Sequence, residues 1–359
     1  MNKLDEFRLR LIGYDIIGVV ETWANDSMFD SELQIPGYVM YRLDRKHKCG
    51  GGLILYVKEC LQSSLCPTLM DTGFEESLWC TVKLQSSNVL IGLCYRYPSS
   101  TSDNDNMLLS LLTLATTHVG ISQIMIMGDF NYPAIDYASG GVSASTSSAD
   151  YLFFERTQDL FLVQNVLEAT RFRSGSCPSK LDYIFTTEEN VIREINYDAP
   201  LGNSDHVVLS WYTTLQHTDQ IQQDEKKFCF WKANYNAVIE DLNDVDWDKE
   251  FDCKNADEMW LVFREKLLDL MKKHVPLKTI NKRKKKSVWM SAHTVKKIKS
   301  RNKAWSKYRK CPSSYNYKMY KDIRNEVNAR IREDRCNYQK FRTLLFVILR
   351  NILKDFTAT

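Results

Sequence analysis

The sequence has no paired cysteines at metal-ligand spacing. Its ten cysteines are scattered singly, with no CxxC, which argues against zinc modules and against a disulfide scaffold. Free thiols in a reducing compartment follow. No apolar run reaches membrane-spanning length, and the longest, residues 344–349, is followed by Arg350. Residues 1–10 are charged throughout and do not look like a secretory signal. No internal repeat is visible. The triple glycine at 50–52 lacks the Lys-Ser/Thr of a phosphate loop, and no helix follows it. It reads instead as a close-packed entry to a strand. A globular, intracellular chain that does not associate with a membrane is expected.

Acidic residues are scarce in the last quarter. Residues 271–359 carry 26 basic and 5 acidic residues, against 22 and 40 in residues 1–270. The net charge of +3 therefore hides an acidic body joined to a basic tail, a split that suits metal binding in one part and nucleic acid in the other.

The stretch that organises the rest is Met127-Gly128-Asp129-Phe130-Asn131-Tyr132. The apolar run 123–127 before it suits a buried strand, and Gly128 permits a change of direction where that strand is expected to end. Residues two apart in extended chain share a side. Asp129 and Asn131 would then stand together at the strand mouth, with Phe130 turned into the core. A carboxylate can hold Mg²⁺ or take a proton from water, and an amide can hold a phosphate oxygen without adding charge. An ordinary Asx-turn would use the same residues.

Around it the hydrophobic patterns predict a helix over 2–12, a buried strand over 14–20 ending at Glu21, and strands over 38–43 and 53–57. They continue with a hairpin of 78–84 and 89–95 closed by Tyr95-Arg96-Tyr97-Pro98, then a helix over 106–119. A Gly/Ser-rich loop over 138–148, a helix over 149–160, a short strand over 180–185 containing Asp182, and Asp205-His206 ahead of a strand over 207–212 follow. Glu21 alone reads more often as a solvated loop residue. The mixture fits layered α/β. A boundary is expected in the polar stretch 215–227.

The order of these motifs, Glu in ETW, Tyr in CYRYP, GDFN, LDYIF and SDH, resembles the endonuclease/exonuclease/phosphatase superfamily. The resemblance covers residues 1–215. Residues 41–45 with the triple glycine, and GDFNYPAIDY at 128–137, narrow it to the endonuclease domain of non-LTR (LINE-type) retrotransposons. Val288-Trp289-Met290-Ser291 is similar to the linker that joins that domain to reverse transcriptase, of which nothing is present. The resemblance implies a deoxyribonuclease I-like, four-layered α/β/β/α sandwich. It implies a Mg²⁺-dependent (or Mn²⁺-dependent) phosphodiesterase that nicks DNA. Glu21 would bind the metal and Asp205 complete its network. Tyr95 would position a phosphate oxygen, Asp129 activate water, Asn131 hold water or phosphate, and Asp182 orient a protonated His206. It also implies that the chain begins after the family's first strand and its Asn, leaving the strand at 14–20 with an open edge and the domain impaired.

Beyond residue 215 a polar linker is expected over 216–254 and a basic helical region over 255–359. Asn255 and Glu258 form a capping box for a helix over 255–273, and helices follow over 291–310 and 314–341. Lys282, Arg283, Lys284, Lys285 and Lys286 make a run that reads as a nucleic-acid contact or a nuclear localisation signal. The aromatics among the basic helices, Trp305, Tyr308, Tyr315, Tyr317, Tyr320 and Tyr338, suit base stacking on DNA or RNA or a small core of their own. Two other functions fit the same motifs: a catalytically impaired retroelement remnant that binds nucleic acid through its tail, and a phosphoesterase for a lipid or inositol phosphate.

Overall fold

The computed structural model describes residues 4–11, 13–46, 50–84, 87–173, 175–215, 226–279 and 289–357. The basic run Lys282–Lys286 lies outside them. Helix α1 (Leu4–Leu11) and strand β1 (Ile16–Val20) come first. Then follow α2 (Asp30–Leu33), β2 (Tyr38–Leu43), β3 (Leu53–Lys58), β4 (Ser63–Leu65), α3 (Pro67–Met70), β5 (Ser77–Lys83) and β6 (Asn88–Tyr95). After these come α4 (Ser102–Thr116), β7 (Gln123–Asp129), the short pair β8 (Ile135–Asp136) and β9 (Gly141–Val142), and α5 (Ala149–Asp159). Strands β10 (Val163–Gln164), β11 (Asp182–Thr186), β12 (Ile192–Asp198) and β13 (Val208–Thr213) complete this part.

Two sheets face each other. One is the antiparallel set β1-β3-β2; the other has six strands in the order β10-β11-β7-β6-β5-β4, with β6 and β7 its parallel pair. Alternation along β7 explains the layering. Met125 and Met127 point to the facing sheet, where they meet Leu53, Leu55 and Val57 of β3. Ile124 and Ile126 point the other way, onto Leu108, Leu111 and Leu112 of α4 and Phe153 of α5. The hairpin β12–β13 adds Ile195, Tyr197, Leu209 and Trp211 to the inter-sheet layer. Outside the smaller sheet, Phe7 of α1 covers Ile17, Ile54 and Tyr56. The result is the four-layered α/β/β/α sandwich. Among the described residues β1 pairs with β3 alone, and β12–β13 pairs only within itself.

Local chemistry sets the element ends. Thr101 accepts from Asn104 N at 3.3 Å and starts α4 earlier than leucine spacing alone predicts. The central strand does not stop at Gly128. It runs on to Asp129, and Gly128 is required inside it because a Cβ there would sit 1.8 Å from the Cys94 carbonyl oxygen. The loop predicted over 138–148 contains β9.

The chain divides into two compact units. Residues 218–285 form one unit; residues 1–217 and 286–359 together form the other. In the smaller unit, β14 (Lys226–Phe228) pairs with β15 (Leu277–Thr279). Helices α6 (Tyr235–Asn243) and α7 (Trp247–Phe251) lie along α8 (Ala256–His274). Residues 226–254 are thus built structure rather than linker: Trp247 packs tilted against Phe263 at 5.7 Å, and Asp241 pairs with Lys273 and His274. The capping box of Asn255 and Glu258 is present.

Helices α9 (Ala292–Lys310) and α10 (Ser314–Thr357) return to the larger unit. Helix α10 runs past residue 341 and takes in the apolar run 344–349. Of the tail aromatics, Trp305 and Tyr320 are buried with Ala199 and Val207, and Phe172, Tyr308 and Tyr317 pack around them. For these residues the core reading holds. Arg301 and Glu6, both fully buried, form an ion pair at 2.5 Å, and Arg10 reaches the same Glu6 oxygen at 3.3 Å.

Candidate active site

Register places the site. Tyr95 on β6 pairs with Asp129 on β7, and Asp129 pairs with Asp182 on β11. Paired residues on adjacent strands share a face, so the three side chains form one row at the open end of the six-stranded sheet. They stand on the face that carries Leu93, Met127 and Ile184 toward the second sheet. From that second sheet, the turn after β1 brings Glu21 into contact with the row: Tyr95 Oη donates to its carboxylate. Phe130, between Asp129 and Asn131, is buried among Phe153, Tyr183 and Phe185.

His206 closes the row. Its Nδ1 lies 2.9 Å from Asp182 Oδ2, and its Nε2 lies 3.9 Å from Asp129 Oδ2. Burial pulls the imidazole down. The hydrogen bond and charge of Asp182, with Asp129 and Asp205 nearby, outweigh this, and His206 is pushed up to about 9. Asp129 is only 4% exposed. Burial, and then the charge of Asp182, push its carboxyl well above the usual range, and His206 opposes them. Burial, and then the bond to Glu21, also push the Tyr95 phenol up, so it stays a neutral donor.

The sequence-predicted residues do not all meet. Asp129, Asp182 and His206 offer atoms within 4.8 Å of one another. Glu21 joins them through Tyr95. Asn131 is held beside them: its backbone N donates to Asp129 Oδ1 at 3.1 Å, and its Nδ2 donates to the Arg96 carbonyl at 2.7 Å. Asp205 stands apart from the cluster, paired with Arg171 Nε at 3.0 Å. Burial raises its carboxyl, but Arg171 and His206 hold it below the usual range.

Several residues that sequence reasoning did not single out fix this geometry. Arg96 grips Asp105 of α4 with two bonds of 2.7 and 3.0 Å, and donates to the Asn131 carbonyl at 3.1 Å. It thereby staples the GDFN turn to a helix. Thr170 is fully buried. Its Oγ1 accepts from the backbone of Leu181 and Asp182, and its carbonyl accepts from Val207 N. One residue thus joins the strand of Asp182 to the segment of His206. Glu76 binds Arg45 and accepts from Gly52 N at 2.7 Å. Gly51 and Gly52 carry the carbonyls that receive Trp23 N and Thr22 N, and a Cβ on Gly51 would lie 2.3 Å from Glu76. The triple glycine is a close-packed strand entry, as its sequence suggested. Glu21, Trp23 and Asn131 all hold left-handed backbone, with φ of 52°, 55° and 51°. Such conformations gather where a site is over-determined by its surroundings.

Residues 89–210 match the family model Exo_endo_phos_2, described as endonuclease-reverse transcriptase. The matched segment is endonuclease/exonuclease/phosphatase-like. It holds Tyr95, Asp129, Asn131, Asp182, Asp205 and His206, and leaves Glu21 outside. Solved structures similar to this chain include the endonuclease domain of TRAS1, a telomere-specific non-LTR retrotransposon, at 17% identity. That likeness covers 60% of this chain and 94% of that one, with a TM-score of 0.47. The 3′ phosphatase NExo from Neisseria, bound to a product DNA hairpin, has 16% identity, coverage of 58% and 92%, and a TM-score of 0.43. An AP endonuclease from Archaeoglobus fulgidus has 14% identity, coverage of 58% and 95%, and a TM-score of 0.41. No curated protein matches. Among the described residues no helix is long and apolar enough to cross a membrane.

Proposed function

We propose that this protein is a divalent-metal-dependent DNA endonuclease of the retrotransposon type, which cuts one strand of a duplex. The observation that carries the reading is the row Tyr95–Asp129–Asp182, with His206 held against it by Asp182. The carboxylates fit a metal. Among the described residues, Glu21 has no ion-pair partner and Asp129 and Asp182 share one imidazole. Hard oxygen donors in net negative excess suit Mg²⁺ or Mn²⁺. Glu21 would hold the ion together with carboxylate oxygens of the row, and Asp205 would join if Arg171 releases it. When bound, the ion supplies positive charge to a phosphate oxygen and to the departing sugar oxygen.

The remaining chemistry belongs to the chain. A buried Asp129 with a raised carboxyl is suited to accept a proton from the attacking water. Asp182 orients His206 and keeps it an imidazolium, whose Nε2–H can donate to charge building on phosphorus. Asn131, fixed by Arg96, offers its amide to water or phosphate. Tyr95 donates to Glu21 and keeps that carboxylate in place. The run Lys282–Lys286 would add phosphate contacts or direct the chain to the nucleus, which a reporter fusion would read.

The test is conversion of supercoiled plasmid to nicked circles, with Mg²⁺ and with EDTA. Nicking should require the metal. Asp129→Asn and His206→Ala should each slow it by at least about a hundredfold, in line with loss of a positioned acid–base group. Full-rate cleavage by both variants, or by the wild type in EDTA, would remove the site from the reaction.

A further inference from the structure

We infer that α9 is a duplex-binding element of the endonuclease body, with one face braced against the active-site segment and the other a lysine track for the DNA flanking the cut. The inference rests on the nuclease reading for its biological sense, but its test does not require cleavage.

The two faces are separate in the sequence and in the fold. Thr294, Ile298, Arg301 and Trp305 are the buried residues of α9, spaced by four, three and four. Lys296, Lys299, Lys303, Lys307 and Lys310 are all exposed, spaced by three, four, four and three, which is again one stripe of a helix. At about 1.5 Å per residue the stripe is roughly 21 Å long, or about six base pairs at roughly 3.4 Å each.

The inner face ties the helix to the site. Trp305 meets Phe172 edge-on at 5.1 Å, and Tyr308 meets it at 6.1 Å. Trp305 Nε1 and Arg309 Nη1 donate to the Tyr197 carbonyl at 3.2 and 3.1 Å, and Arg309 also pairs with Glu168. Glu168 to Phe172 is the segment that contains Thr170 and Arg171. Phe172 N donates to the Asp205 carbonyl at 2.7 Å. The track is thus referenced to His206 through a few packed residues.

The outer face is not an ordinary solvated one. The nineteen residues of α9 contain no Asp or Glu. No ion pair holds any of the five lysines among the described residues, whereas Lys297, off the stripe, pairs with Glu326. Lys299–Lys303 and Lys303–Lys307 are like-charge pairs at i, i+4, a spacing that destabilises a helix. A rigid row of unpaired cations that repel one another is relieved by an external row of anions. Duplex DNA offers one along its length, at about one charge per 1.7 Å.

The test uses the full chain in EDTA, so that binding is read without cutting. Fluorescence anisotropy on a duplex of about 30 base pairs compares wild type, Lys299→Ala/Lys303→Ala/Lys307→Ala, and the charge-matched control Lys83→Ala/Lys249→Ala/Lys272→Ala. The ridge variant should bind at least about tenfold more weakly. Its log–log salt slope should be shallower by about 0.9 for each lysine in contact. Its melting temperature should match or slightly exceed wild type, since all three positions are exposed and the substitutions remove two like-charge pairs. The control should bind within about twofold of wild type. Equal binding by ridge variant and wild type, or equal losses in ridge and control, would overturn the inference. So would a ridge loss seen only with single-stranded RNA. A wild type that binds here but fails to nick supercoiled plasmid with Mg²⁺ would sink the nuclease reading and leave the track standing.

Discussion

Within the candidate site, the charge of His206 is set by its neighbours rather than by its type. In EDTA, its imidazole proton followed by NMR should titrate with a midpoint far above the usual 6.5, toward the value of about 9 that Asp182 imposes. Asp182→Asn should bring the midpoint back toward 6.5; a midpoint unmoved by that change would mean that Asp182 is not the cause. The sign for stability follows. A raised folded value stabilises the native state fully below pH 6.5, and the contribution is lost as pH rises through about 9. Arg171 acts one step further out, through Asp205. Arg171→Ala should reduce nicking by about ten- to a hundredfold, as for groups that orient metal-site residues. Restored rates in Arg171→Lys would show that charge alone is needed; persistent loss would point to the geometry of the guanidinium.

At the scale of elements, the site is a product of strand register. Gly128 permits β6 and β7 to approach closely enough for Tyr95 and Asp129 to stand side by side. Gly128→Ala forces a Cβ into the Cys94 carbonyl, and the strands must part. The cost should exceed about 3 kcal/mol, beyond the usual range for overpacking, and appear as a collapse of the urea midpoint. A variant melting within a few degrees of wild type would show that the two strands can separate at little cost. This part of the molecule was largely legible in advance. The apolar run 123–127, the hairpin strands and the amphipathic helices carry their periods openly. Strand β12 was not, because Arg193, Glu194, Asn196 and Asp198 interrupt its pattern and a bulge between Ile192 and Ile195 breaks its register. The residues converging on Asp129 were legible by motif order. Arg171, Thr170 and Arg96 were not, since nothing local marks a residue whose partner lies 34 positions away, as Asp205 does from Arg171.

At the scale of the whole molecule, the body is discontinuous in sequence. The division at His217 was foreshadowed by the polar stretch 215–227. The return of α9 and α10 to the body was not, because it rests on long-range partners for Arg301 and Trp305 that composition does not reveal. A chain ending at His217 would therefore be incomplete despite holding every catalytic candidate. Ala199, Val207 and Phe172 would lose Trp305 and Tyr320. We expect such a chain to melt well below the full protein and to expose apolar surface to a reporter dye such as ANS. Within the full chain, Arg301→Ala should lower the melting temperature, but by less than the about 3–5 kcal/mol of a buried charge left wholly unpaired, because Arg10 still reaches Glu6 at 3.3 Å. A truncated chain that melts like the whole would show that the helices are passengers.

The Glu6–Arg301 pair also sets a clock. The two residues are 295 positions apart. At roughly 5–20 residues per second on the ribosome, Glu6 emerges about fifteen seconds to a minute before Arg301 exists. For that interval α1 has Arg10 for its acid but no α9 to cover it. Until then the side of α1 that carries Glu6 and Leu9 lacks its cover from the last quarter of the chain. A ribosome stalled between residues 217 and 301 would hold a nascent body that protease reaches easily, and release of α9 should close it.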